Sequence, residues 1–306
     1  MHPLKKMALR ALSRPYFDLK KYYRIQRRVL NAINPFFKPL YNMLDHRIMV
    51  EGRNIPVRIF NPKGNRNQGV LIFFHGGGWV TGNIDSYTNV CVRMANKTGS
   101  RVISIDYRLA PEHPFPAGVE DCYHAAKEIF MNQELLGCRQ GDITLIGDSA
   151  GGNLAAAVSL MARDRGDFLP SKQILIYPAT YNDHSENSPF LSTRENGKDY
   201  ILTLKRIQDY MDMYLQNRED RFNPYAAPFL AADLSTQPDT LIITAEFDPL
   251  RDEGEAYGQR LRNFGNNVRI YRIKDALHGF LALPKSFESV KKCYEEINLF
   301  LNRKWE

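Results

Sequence analysis

From about residue 70 onward the chain repeats one pattern: a short uninterrupted apolar run, a turn, then a stretch with helical periodicity. The runs are VLIFF (70–74), RVISID (101–106), DITLIG (142–147), KQILIY (172–177), DTLIITAE (239–246) and NVRIYRIK (267–274). Helical stretches follow near Ser86–Asn96, Gly118–Met131, Ala150–Arg163, Glu253–Phe264 and Ser286–Leu301. Strands that are apolar at every position, instead of at alternate ones, are covered on both faces, and strands separated by helices pair in parallel. The expectation is an α/β fold with a mostly parallel central sheet and helices on both sides. HRIMVEG (46–52) and IPVRIF (55–60) read as a hairpin at the sheet edge. Residues 180–235 are far too long for a connection. With a helical pattern near Thr203–Leu215 and several prolines, they read as an inserted lid.

Charge is distributed unevenly. The 306 residues hold 41 Lys+Arg and 34 Asp+Glu, a formal net charge of +7. Residues 1–45 contribute +8 of this and the remainder is −1. A basic surface for nucleic acid spread over the body is thereby excluded, and no nucleic-acid partner is expected. Tyr16–Ile33 has helical spacing, with Tyr22, Ile25, Val29 and Ile33 on one face, and is expected to pack on the lid. The domain reading is N-terminal helices over 1–45, a body over 46–179 and 236–306, and the insertion 180–235. Arg10 and Arg14 interrupt the first apolar stretch, so no signal peptide forms, and no apolar run is long enough to span a bilayer. Cys91, Cys122, Cys138 and Cys293 show no metal-ligand spacing and read as free thiols. A cytoplasmic location is the expectation.

Three constellations carry chemistry. GDSAG, Gly147–Gly151, sits directly between a strand and a helix, the setting of a G-x-S-x-G nucleophile elbow. The sharp turn exposes the oxygen of Ser149 at the positive end of the following helix. A serine needs a base, and only His184 and His278 follow it in the chain order Ser, acid, His of α/β-hydrolases. His278, just after the last strand in ALHGF, is placed to reach the elbow; His184 falls in the lid. AEFDPLRDEG follows the strand before it and offers Glu246, Asp248, Asp252 and Glu253. Asp248, before Pro249, is the candidate that orients His278, with Glu246 the runner-up; Asp252 and Glu253 suit the first turn of a helix. The third constellation is HGGGW, His75–Trp79, after strand 70–74. Successive glycines let backbone N–H groups face a ligand, and with the residue after the serine they form an oxyanion hole. The expected donors are Gly77, Gly78 and Ala150. A phosphate loop would need G-x-G-x-x-G or a Walker lysine, and neither is present. Trp79 and Phe280 flank these loops and are candidates for the pocket wall. With no H-E-x-x-H and scattered histidines, no metal or cofactor is expected.

HGGGWVTGNIDSY, DYRLAPEHPFPAG, GDSAGGNLA, DPLRDEGEAY and HGF together resemble the hormone-sensitive-lipase-like family of α/β-hydrolases, over nearly the whole chain. The resemblance implies the α/β-hydrolase fold and a serine carboxylesterase with the triad Ser149, Asp248, His278. It also implies a cap built from the N-terminal helices and the insertion after the sixth strand. Asp106, Arg108 and Glu112 of the second segment are read as pinning a loop, not as catalytic. A capped pocket favours short- to medium-chain acyl esters. An amidase or peptidase on the same fold, and a membrane-surface lipase anchored by the basic helix, are the alternatives; membrane contact is the less favoured. The last strand leaves a sheet edge at which the chain could form a homodimer.

Overall fold

A computed structural model describes residues 18–33, 43–50, 52–64 and 69–302. The strands are β1 (Met43–Val50), β2 (Arg53–Phe60), β3 (Val70–Phe74), β4 (Arg101–Ile105), β5 (Ile143–Asp148), β6 (Lys172–Ile176), β7 (Asp239–Phe247) and β8 (Val268–Leu277). They form one eight-stranded sheet in the order β1-β2-β4-β3-β5-β6-β7-β8. The hairpin β1–β2 and its junction with β4 are antiparallel, and every other pairing is parallel. Each apolar run of the sequence is a strand, and the hairpin lies at one edge. β1 begins at Met43, so Met43, Leu44 and Asp45 belong to the body and not to the N-terminal helices as expected.

The helices are α1 (Leu19–Ile33), α2 (Ile84–Thr98), α3 (Ala117–Met131), α4 (Ala150–Arg165), α5 (Leu191–Asn196), α6 (Leu204–Tyr214), α7 (Arg251–Asn263) and α8 (Glu288–Leu301). β3 is buried along its whole length because alternate side chains serve different layers. Leu71 and Phe73 pack with Met94 of α2 and with Ile297 and Phe300 of α8. Ile72 and Phe74 pack with α3, α4 and α7 through residues such as Val119, Leu154 and Leu261. α4 lies at the centre and is buried continuously from Ala150 to Ala162, which accounts for its run of alanines and glycines. α2 starts on a reciprocal cap: Asn83 Oδ1 accepts from the Ser86 amide (2.8 Å), and Ser86 Oγ accepts from the Asn83 amide (3.0 Å).

The chain between β6 and β7 carries α5 and α6, and α1 lies against α6. Lys20 of α1 pairs with Asp212 (2.6 Å), and Gln26 donates to the Tyr210 hydroxyl (3.4 Å). Arg27 donates to the carbonyls of Val80 (2.6 Å) and Ala110 (2.7 Å) and forks onto Glu112 (3.1 and 3.0 Å). The face of α1 turned inward is therefore Leu19, Tyr23, Gln26 and Arg27. This corrects the sequence expectation: Ile25 and Val29 are each 48% exposed. The amphipathic stripe does form a helix, but the inward face is chosen by polar anchors. The Ile33 side chain and Lys5, Lys6, Arg10, Arg14 and Lys38 lie outside the described residues.

The segment Asp106–Ala117 behaves as a pinned loop. Asp106 accepts from the Ile84 amide (3.2 Å), Arg108 binds Asp121 in bidentate fashion (2.7 and 2.8 Å), and Glu112 receives α1. The four cysteines are free thiols. Among the described residues no helix is long and apolar enough to cross a membrane, and no group of three or more His, Cys, Asp or Glu could hold a metal ion.

Candidate active site

Ser149 occupies the turn between β5 and α4 with φ 56° and ψ −119°, a conformation that L-residues reach only under constraint. The glycines around it are sterically required. A Cβ on Gly147 would stand 2.1 Å from the Gly151 carbonyl oxygen, and one on Gly151 would stand 1.9 Å from that of Phe74. The turn is held by the Ser149 amide donating to Ile176 O on β6 (2.9 Å).

Two loops from distant parts of the chain meet this serine. Ser149 Oγ lies 2.8 Å from His278 Nε2, and His278 Nδ1 lies 2.7 Å from Asp248 Oδ2. His278 follows the end of β8, and Asp248 follows the end of β7, fully buried, with its other oxygen accepting from the Leu250 amide (2.9 Å). A proton on Nδ1 facing the carboxylate leaves Nε2 to accept from the serine hydroxyl. The other acids point elsewhere. Glu246 accepts from the Asp275 amide (2.7 Å), Asp252 from the Ser192 amide (2.7 Å), and Glu253 faces His184 (2.7 Å) in a wholly buried pair. His184 is thus a bridge between the β6–β7 excursion and α7, far from Ser149 in role.

The glycine loop after β3 completes the arrangement. His75 is buried and stacked on Tyr107 (4.3 Å between centroids), and burial lowers its pKa to about 4, so it is a neutral ring at neutral pH. The Gly76 amide donates to Asp148 Oδ1 (2.9 Å). Gly77 (φ 116°) and Gly78 (φ 61°) follow in backbone conformations open to glycine. Among the described residues the amides of Gly77, Gly78 and Ala150 have no protein acceptor.

These groups open into a cavity of about 340 Å³ whose lining includes Ser149, His278, Gly77, Gly78, Trp79 and Ala150. Trp79 is one of its walls, stacked on Tyr214 with centroids 4.6 Å apart and planes 3° apart. Phe280 is not, which corrects the other pocket expectation. It is 1% exposed and sits edge-on to Tyr177 (4.9 Å) in the core shared with α2 and α8. Gly279, in the left-handed region (φ 79°), turns the chain so that the residue after it descends into the core.

Sequence reasoning missed much of the wall: Gln26 from α1, Tyr87 from α2, and Leu202, Arg206, Ile207 and Tyr210 from the β6–β7 excursion. The spacing of Ile207 and Tyr210 marks an apolar face of α6, yet nothing local says what that face covers. Asp148 was also missed as a structural group. It is 4% exposed and also accepts from the hydroxyls of Tyr87 (3.2 Å) and Tyr177 (3.3 Å). Burial raises its pKa from 3.8 to about 6, against the opposing effects of these donors and of His278.

Comparison with known proteins agrees with this architecture. Residues 71–282 match a family model described as alpha/beta hydrolase fold. An arylesterase of Saccharolobus solfataricus is 38% identical over 253 residues, covering 82% of this chain and 81% of that protein. The carboxylesterase NlhH of Mycobacterium tuberculosis is 37% identical over 244 residues, covering 77% and 75%. The solved structure of a Pyrobaculum calidifontis esterase superposes with a TM-score of 0.87 at 37% identity, covering 99% of both chains. The chain belongs to the hormone-sensitive-lipase-like family of α/β-hydrolases.

Proposed function

We propose that this protein hydrolyses short- to medium-chain carboxylic esters through an acyl-enzyme on Ser149, with His278 as base and Asp248 as its orienting acid. The coarser class, carboxylic ester hydrolysis, has the support of relatives named arylesterase and carboxylesterase. The observation that carries the finer reading is the chain of contacts Ser149 Oγ–His278 Nε2 (2.8 Å) and His278 Nδ1–Asp248 Oδ2 (2.7 Å) beside three amides without protein acceptors.

In this reading Ser149 Oγ attacks the ester carbonyl carbon while its proton passes to His278 Nε2. Asp248 holds the ring in the required tautomer and stabilises the imidazolium. The amides of Gly77, Gly78 and Ala150 receive the negative charge that develops on the carbonyl oxygen, each contributing roughly 3 kcal/mol to the barrier reduction. His278 then protonates the departing alcohol. Water, deprotonated by the same nitrogen, attacks the acyl-enzyme and releases the acid and free Ser149.

α1 and the β6–β7 excursion act as a cap, since they supply Gln26, Leu202, Arg206, Ile207 and Tyr210 to the wall. A cavity of about 340 Å³ is at the lower end of ligand pockets and suits short to medium acyl groups. A panel of p-nitrophenyl esters from acetate to palmitate tests the reading against the Ser149→Ala variant. Loss of turnover in the variant and an optimum at short or medium chains are expected. Undiminished turnover in the variant, or a palmitate optimum, would overturn it.

A further inference from the structure

The cavity over Ser149 holds one charge for which the hydrolysis has no use. Arg206, in the first turn of α6, lines the wall. Its Nη1 donates to the Ile201 carbonyl (2.8 Å), and among the described residues it has no carboxylate partner. The neighbouring cations are different. Lys20 pairs with Asp212, Arg27 with Glu112, and Lys205 with Asp209. The other ionisable groups of the wall are also engaged. Asp148 accepts from the Gly76 amide and two tyrosines, and His278 lies between Asp248 and Ser149. Helix stability does not account for Arg206 either, because a cation in a first turn opposes the helix dipole.

The remaining wall near it is apolar, with Trp79, Ile201, Leu202, Ile207 and Leu250. A partly exposed guanidinium whose Nε and Nη2 have no protein partner among the described residues, beside an apolar wall, is a planar receptor for a carboxylate. Tyr210, one turn along the same helix face, packs over Gly78, where a Cβ would stand 2.3 Å from its ring. Arg206 lies one turn earlier on that face, about 5–6 Å along the helix surface from Tyr210, and lines the same cavity as Ser149. An ester bound over Ser149 with an anionic group a few bonds from the scissile carbonyl keeps both within this one cavity.

We propose that Arg206 makes esters carrying a carboxylate, such as half-esters of short dicarboxylic acids, the preferred substrates of this site. The inference rests on the ester hydrolase reading above. It gives a use to Arg206, the one Lys or Arg among the described residues of the wall.

The test compares kcat/KM for matched anionic and neutral esters in wild type, Arg206→Gln and Ser149→Ala. Monoethyl glutarate against ethyl pentanoate places the charge on the acyl side, and acetoxybutanoate against butyl acetate places it on the alcohol side. Glutamine keeps a donor for the Ile201 carbonyl. In at least one pair the wild-type anionic-to-neutral ratio should fall by about tenfold or more in Arg206→Gln, mainly through KM, as expected when one charge-assisted pair is lost. Added salt should lower the wild-type ratio and leave that of the variant unmoved. Arg206→Lys, which keeps the charge and loses the fork, should fall between them. Equal ratios in wild type and Arg206→Gln for both pairs, with Ser149→Ala inactive, would overturn this inference alone. Turnover surviving in Ser149→Ala would overturn the underlying reading instead.

Discussion

Asp148→Asn should make the protein more stable at alkaline pH and slower as an enzyme. The Asp148 carboxyl is buried beneath the glycine loop, and burial raises its pKa from the ordinary 3.8 to about 6. Between these values the native state keeps a proton that the unfolded chain releases. Its contribution to stability is complete below the lower value and is lost as pH rises through the higher one. The rise from 3.8 to about 6 corresponds to roughly 3 kcal/mol between the two protonation states. Asparagine cannot ionise, yet its oxygen still accepts from the Gly76 amide and its NH2 can donate to the hydroxyl oxygens of Tyr87 and Tyr177. The stability of the variant relative to wild type should therefore grow by up to about 3 kcal/mol between about pH 4 and about pH 8. At about 2–4 °C per kcal/mol, that is a change of roughly 6–12 °C in the difference between the two melting temperatures. Carboxylates elsewhere titrate equally in both proteins and cancel in the difference. The Asp148 charge also interacts favourably with protonated His278, so its removal should lower kcat by several-fold at alkaline pH. Melting curves of both proteins across this range, with kcat on one short-chain ester, make the test. A difference in melting temperature that stays flat with pH would refute the reasoning, because the buried charge would then be fully compensated.

Two further substitutions probe the loop and the cap. Gly78→Ala drives a Cβ to 2.3 Å from the Tyr210 ring, so the loop or the ring must move. On the proposed role of the Gly78 amide as an oxyanion donor, kcat should fall by about a hundredfold, and a fall of less than about threefold in steady-state assays would count against it. Arg27→Ala removes the donors to Val80 O and Ala110 O together with the Glu112 pair. Most of the cost, about 2 kcal/mol, should come from the two carbonyls and little from the partly exposed ion pair. It should appear as a melting temperature several degrees lower and, through misplaced Gln26, a higher KM; an unchanged KM would show that α1 does not shape the pocket.

What was legible in the sequence was local. Short apolar runs set between helical stretches specify parallel strands, and all six became strands, five of them largely buried and the edge strand β8 only in part. The elbow was legible because strand, turn and helix are contiguous and Gly147 is required by the Gly151 carbonyl within that unit, although Gly151 is required by Phe74 O on the neighbouring strand β3. The chain order of serine, acid and histidine, read with the strand ends, singled out Asp248 and His278, and His278 stands between Asp248 and Ser149. Only the tertiary structure decided the rest. It turned α1 by its arginine and lysine anchors, leaving Ile25 and Val29 outside. It separated Trp79 from Phe280, which the sequence treats alike, through one left-handed glycine. It also made Asp148 a buried acceptor and gathered Gln26, Arg206 and Tyr210 around one cavity. Local periodicity is set by the geometry of a single element and is written in neighbouring residues. The identity of the facing surface depends on the order of strands and on side-chain partners far apart in the chain, and no short stretch of sequence encodes it.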